Sequence, residues 1–75
     1  MTAPAALHPV HVLDRDALRA ARDRAGMSLR DVAAHIDRHW VTVGKYETGL
    51  IDVPSSILGV LAGLYGVEVG AFYRR

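Results

Sequence analysis

Between His35 and Gly49 the chain reads HIDRHWVTVGKYETG, a stretch with several side chains that could do chemistry. His35 and His39 stand at i and i+4, and His8 and His11 at i and i+3. Imidazoles at both spacings can share a metal ion. Asp37 and Arg38 interrupt the helical path between the first pair, so ordinary surface histidines are expected and no metal or cofactor is assigned. Gly44-Lys45 does not build a phosphate-binding loop: His39 stands where that loop needs glycine and Tyr46 where it needs serine or threonine. The chain has no cysteine, which removes disulfides, thiol catalysis and cysteine-held zinc together. No paired carboxylates, nucleophile elbow or Ser/His/Asp set is evident, and an enzyme is not expected. The remaining chemistry is that of contact. Trp40, Val41, Thr42 and Lys45 offer hydrogen-bond donors and apolar surface rather than reacting atoms.

The backbone under these residues decides how they can be used. Trp40 to Val43 has the aromatic and β-branched composition of a strand. As a strand, however, it would put Trp40, Thr42 and Gly44 on one face and Val41, Val43 and Lys45 on the other, and neither face is coherently apolar. As a helix from Trp40 to Glu47, closed by Gly49, it turns Val43 and Tyr46 inward and Trp40, Val41, Gly44 and Lys45 outward. The helix is the better reading. Upstream, Asp14 is a helix cap followed by Leu18, Ala21 and Ala25 at helical spacing, and Gly26 ends that helix. Ser28-Leu29-Arg30-Asp31 resembles a capping box, with Leu29, Val32, Ala33 and Ile36 as the buried stripe that follows. Downstream, Pro54 suits the first turn of a helix that runs to Tyr65 and stops at Gly66. A fifth short helix is expected from Val69 to Tyr73.

The whole is 75 residues, 51% of them hydrophobic, which makes one small domain that folds around a marginal core. Residues 1–13, with Pro4 and Pro9, read as a mobile arm whose His-Val alternation at 8–12 permits a short edge strand; residues 14–75 form the domain. The longest apolar stretch, Ile57 to Val67, is about half of the roughly 20 residues a membrane-crossing helix needs. The N-terminus lacks the basic start of a signal peptide. A cytoplasmic protein with no membrane partner is expected. A net charge of +1 and an isoelectric point near 8.3 leave the identity of the partner open.

Five short helices with a tight second-to-third turn describe a helix-turn-helix module. Leu18-Arg19-Ala20-Ala21-Arg22-Asp23-Arg24-Ala25-Gly26-Met27-Ser28, followed by Leu29-Arg30-Asp31-Val32-Ala33, resembles the opening of the Cro/repressor-type (xenobiotic-response-element) helix-turn-helix family. Tyr46-Glu47-Thr48-Gly49 is similar to the end of its recognition helix, and Leu61-Ala62-Gly63-Leu64-Tyr65-Gly66-Val67 to its fourth helix leading into the fifth. The resemblance covers residues 14–73. It implies an all-α, five-helix, lambda-repressor-like DNA-binding domain. It also implies an ion pair between Arg22 in helix 1 and Glu47 at the end of helix 3. The positions of Arg22 beside the buried stripe and of Glu47 beside Tyr46 agree with a largely buried pair.

The resemblance makes the third helix the one that enters the major groove of double-stranded DNA. Val41 would then contact a thymine methyl, and Lys45 would donate to guanine or to a phosphate. Trp40 would stack on the sugar-phosphate or meet a thymine, Thr42 would serve a phosphate or a base, and Gly44 would permit close approach. Arg30 and Arg38 are candidate phosphate clamps. The family usually has glycine, an apolar residue and serine or threonine where this chain has Asp37, Arg38 and His39, and often glutamine where it has Leu29. Trp40 has a second reading here, as a cover folded back over the altered turn. The nearly all-round apolar fourth helix has two readings as well. Ile57, Val60, Leu61, Leu64 and Tyr65 either form a homodimer face that spaces two recognition helices on a palindrome, or simply serve the core. Two functions follow: a sequence-specific transcriptional regulator, or a protein-interaction module such as an antitoxin or anti-repressor with little DNA binding.

Overall fold

Each of the first three helices starts where a side chain caps it. The computed structural model describes residues 12–74. Asp14 opens α1 (Arg15–Arg24), its Oδ1 accepting from the Asp16 and Ala17 N–H groups at 3.1 Å each. The helix closes at Gly26, whose positive φ of 72° a side chain would strain. Ser28 opens α2 (Leu29–Ile36) with a full capping box. Its Oγ accepts from the Asp31 N–H at 3.0 Å, and its own N–H donates to Asp31 Oδ2 at 2.8 Å. That backbone donor, with the Ser28 side chain, holds the Asp31 carboxyl below its ordinary value. His39 caps α3 (Trp40–Thr48), which ends at Gly49, and α4 (Ser55–Tyr65) follows Pro54.

The chain then makes one 3-10 turn (Val69–Phe72) and a two-residue strand, β2 (Tyr73–Arg74). This strand pairs antiparallel with β1 (Val12–Leu13), Val12 opposite Arg74 and Leu13 opposite Tyr73. The short fifth helix expected from Val69 to Tyr73 is this 3-10 turn over Val69–Phe72, while Tyr73 belongs to the strand, which corrects the purely helical reading. Burial of Phe72 fixes the turn, and Tyr73 is drawn into extended backbone by its pairing with Leu13. The Asp14 N–H, which donates to the Phe72 carbonyl at 2.6 Å, continues the same seam. Residues 1–11 lie outside the described residues, and with them the His8/His11 pair and most of the proposed arm. Val12 and Leu13, at the end of that arm, belong to the sheet.

The core gathers one stripe from each helix: Leu18 and Ala21, then Val32, Ala33 and Ile36, then Val43 and Tyr46, then five residues of α4, closed below by Phe72. Of the expected stripe residues, Ala25 lies exposed at the end of α1 and Leu29 is only half-buried. On α4 the buried residues are Ile57, Leu58, Leu61, Ala62 and Tyr65, whereas Gly59, Val60 and Gly63 are exposed and Leu64 is half-buried. The five residues read as a dimer face thus do not share one surface. Ile57, Leu61 and Tyr65 are committed to the core, and only Val60 and Leu64 face a possible partner. Helical periodicity explains the division, since 57, 61 and 65 are one turn apart on the inward side.

Tyr65 packs edge-on against Phe72, with ring centroids 6.3 Å apart. Its buried hydroxyl has no hydrogen-bond partner among the described residues. Burial, reinforced by the nearby Glu47 charge and partly offset by Arg22, pushes its pKa up to about 12. The folded state therefore holds this proton more tightly than the unfolded chain does. The corresponding stability is full below about pH 10, the ordinary tyrosine value, and drains away as pH rises towards about 12. Tyr65→Phe should abolish that alkaline loss. Because it removes an unpaired buried hydroxyl, the variant should also be at least as stable as the parent at neutral pH. Urea midpoints of both proteins at pH 8 and pH 11 check this.

Candidate functional site

Helix α3 carries the outward residues, and its value as a platform depends on how firmly it is held. Its C-terminal half is gripped by two arginines of α1. Arg22 makes a two-pronged bond to Glu47, Nε to Oε2 at 2.6 Å and Nη2 to Oε1 at 3.0 Å. Its third prong, Nη1, donates to the Met27 carbonyl at 2.9 Å. The two side chains are only 11% and 8% exposed. The hydrogen bond to Glu47 raises the Arg22 pKa against the opposing effect of burial, so the guanidinium stays charged at every practical pH.

Arg15 is the second grip. Its Nη1 donates to the Tyr46 carbonyl at 2.6 Å and to the Ile51 carbonyl at 3.3 Å. A cation on the last carbonyls of a helix is favourable both as a donor and against the helix dipole. The sequence reading missed this residue. The available signal was spacing: Arg15 and Arg22 stand at i and i+7 on α1, so if one reaches α3, the other faces the same way. Between α1 and α3 lies a groove of about 570 Å³ lined by Arg15, Arg19, Arg22, Leu29, Gly44 and Glu47. Two of its three arginines are engaged by α3, and Arg19 lies 3.8 Å from Asp23.

The other end of α3 is built from the irregular turn. Asp37 takes the left-handed conformation, with φ 56°, where a glycine would be relaxed. Arg38 folds back, its Nη1 donating to the Ile36 and Asp37 carbonyls at 3.3 and 3.0 Å. It closes the end of α2 locally while remaining exposed. Nδ1 of His39 accepts from the Val41 N–H at 3.1 Å. The imidazole stacks on Trp40 with centroids 5.6 Å apart and planes 29° from parallel. Arg30, from the first turn of α2, lies over the same indole with its Cζ 5.1 Å from the ring centroid. Trp40 is therefore packed between α2 and the turn, yet 38% exposed, and it is Arg38 that closes the turn.

Together α2, the turn and α3 place Arg30, His39, Trp40, Val41 and Lys45 as exposed residues around the start and outward side of one helix. Thr42 and Gly44 are half-buried beside them. A Cβ added at Gly44 would meet Leu29 Cδ1 at 3.8 Å, an ordinary contact. Packing within the chain therefore does not require glycine here. His35 is exposed on α2, separated from His39 by the left-handed Asp37. No helix among the described residues is long and apolar enough to cross a membrane. The arrangement can grip, stack and donate.

Two short helices joined by a tight turn, the second clamped at both ends with its outward side free, constitute a helix-turn-helix. Residues 15–71 match the helix-turn-helix domain family, and the chain belongs to it. It is also similar to a protein of Pyrobaculum aerophilum that bears the provisional name of an HTH-type transcriptional regulatory protein. The two are 35% identical over 57 residues, which cover 76% of this chain. The chain spans only 23% of that relative's length. No solved structure matches it.

Removing one partner of the Arg22–Glu47 pair leaves the other charge buried and alone. Glu47→Ala should lower unfolding free energy by about 3–5 kcal/mol, read as a shift of the urea midpoint. Gly44→Ala should do the opposite and stabilise by about 1 kcal/mol, the helix-propensity difference, because its methyl fits beside Leu29.

Proposed function

We propose that the chain is a sequence-specific, double-stranded DNA-binding transcriptional regulator of Cro/repressor type, acting in the cytoplasm on a lambda-repressor-like domain. In this reading α3 lies in the major groove. Val41 meets a thymine methyl, Lys45 donates to guanine or a phosphate, and Thr42 and His39 add polar contacts. Trp40 carries the apolar edge at the helix start, while Arg30 and Arg38 hold the flanking phosphates. The single observation that carries the reading is the clamped helix. Arg15 and Arg22 fix one end of α3 and the His39 cap fixes the other, so its outward residues are preorganised for a rigid partner. The helix-turn-helix membership and the name of the archaeal relative support it.

The reading extends to a homodimer on a palindromic operator, paired through Val60 and Leu64 of α4. Half-sites would then lie about 34 Å apart, one turn of duplex. The second reading, an interaction module such as an antitoxin or anti-repressor, has one observation in its favour. Leu50, just beyond α3, is 71% exposed, and Ile51 and Val60 are also exposed.

The test is selection of bound fragments from a random duplex library, with Lys45→Ala and Gly44→Ala alongside. An enriched palindrome that both variants lose is the expected outcome, with Gly44→Ala failing although it is the more stable protein. Affinity should fall with salt by about 0.9 in log K per log salt for each phosphate contact. Absence of enrichment at low salt would discard the DNA reading in favour of the interaction module.

A further inference from the structure

We infer that His39 is a positioning residue whose uncharged ring holds the first turn of α3, so that acid loosens sequence-selective DNA binding. The part concerning DNA rests on the function proposed above; the part concerning the helix does not. The geometry is the Nδ1 contact to the Val41 N–H at 3.1 Å. A ring nitrogen accepts a hydrogen bond only while it carries no proton, so the capping ring must be neutral with its proton on Nε2. A charged imidazole has two donors and no acceptor, and its charge also opposes the positive end of the helix dipole. Histidine side chains change charge between about pH 5 and 8. The His39 ring is exposed to solvent.

The other side-chain caps in this fold do not share that property. Asp14 and Ser28 cap α1 and α2 through oxygen. Only α3, whose outward residues are the candidate reading surface, begins on an imidazole. The far end of α3 is fixed independently by Arg15, Arg22 and Gly49. Loss of the cap is thus confined to the first turn, where Trp40 and Val41 stand, and it also disturbs the stack of His39 on Trp40. The titratable and charged groups about this corner are Arg30 and His35 from α2, Asp37 and Arg38 from the turn, and Lys45 from α3. The neutral ring also presents its Nε2–H as a donor, suited to a phosphate oxygen or a guanine acceptor.

A protonated His39 would attract phosphates of any sequence, so acid need not weaken binding to random duplex. What falls is selectivity. A helix cap is typically worth about 1 kcal/mol, or roughly a five-fold change in binding constant. The probes are the duplex pool enriched from a random library at pH 7.5 and an unselected random duplex. The affinity ratio between them is measured at pH 7.5 and 5.5 for the full chain. For the parent, the ratio should fall at pH 5.5, by up to about five-fold. His39→Asn, whose side-chain oxygen caps without titrating, should hold its ratio, and His39→Ala should be low at both pH values. A parent ratio that follows His39→Asn across pH overturns the inference. Ring-nitrogen NMR of the DNA-free protein tests the cap separately: the Nε2–H tautomer at pH 7.5, with the Val41 amide shifting as the ring titrates, is expected, and an Nδ1–H tautomer refutes it. Should the chain bind no DNA at either pH, the proposed function fails while the NMR result still decides the role of His39.

Discussion

The Arg22 guanidinium joins three pieces of chain in one directional set of bonds. It lies on α1, bonds the Met27 carbonyl in the turn before α2, and holds Glu47 near the end of α3. Hydrophobic stripes alone would let short helices slide and rotate on one another, since apolar burial is non-directional. A planar fork with fixed donor directions does not slide. Charged groups this buried are weak evidence for net stability. Their contribution here is geometric, because the angle of α3 relative to α1 and α2 follows from it. Arg15 repeats the device about two turns of helix away, on backbone carbonyls instead of a carboxylate. Without these two side chains α3 would have only Val43 and Tyr46 as buried anchors.

Most of this organisation is legible in the amino-acid sequence, for identifiable reasons. The helix starts at Asp14 and Ser28 follow from local capping chemistry, and the stops at Gly26, Gly49 and Gly66 from the left-handed backbone that glycine adopts without strain. Helix rather than strand from Trp40 to Glu47 follows from which face could be buried, and the two inward residues are Val43 and Tyr46. What escaped the sequence is long-range. Tyr73 looks like the end of a helix until a strand at Val12–Leu13 competes for its backbone. Arg15 looks like a solvated first-turn residue until the end of α3 is brought to it. Trp40 presents the same difficulty: either contact or cover was reasonable, and the position of Arg30 over its ring is a tertiary fact. Local rules contain none of these, because each depends on where a distant segment comes to rest.

The irregular turn is where the chain departs most from a relaxed design. Asp37 occupies a conformation that favours glycine, Arg38 bonds to nearby carbonyls, and a ring nitrogen serves as the cap. Together they keep the turn closed by polar, solvent-accessible means. The turn consequently draws little on the core, while the grip on the far end of α3 draws on it heavily.

The β1–β2 pairing has a consequence for how this unit can be carried. Val12 and Arg74 are partners across a ladder, so the chain enters and leaves the fold at neighbouring points. A unit of that kind can be spliced into a surface loop of a host with little stretching of the host backbone. It can equally be circularly permuted, with the two strands joined by a short hairpin and new ends opened at the exposed segment around Leu50. Tension applied through the native ends would peel this two-residue seam apart before it loaded any helix.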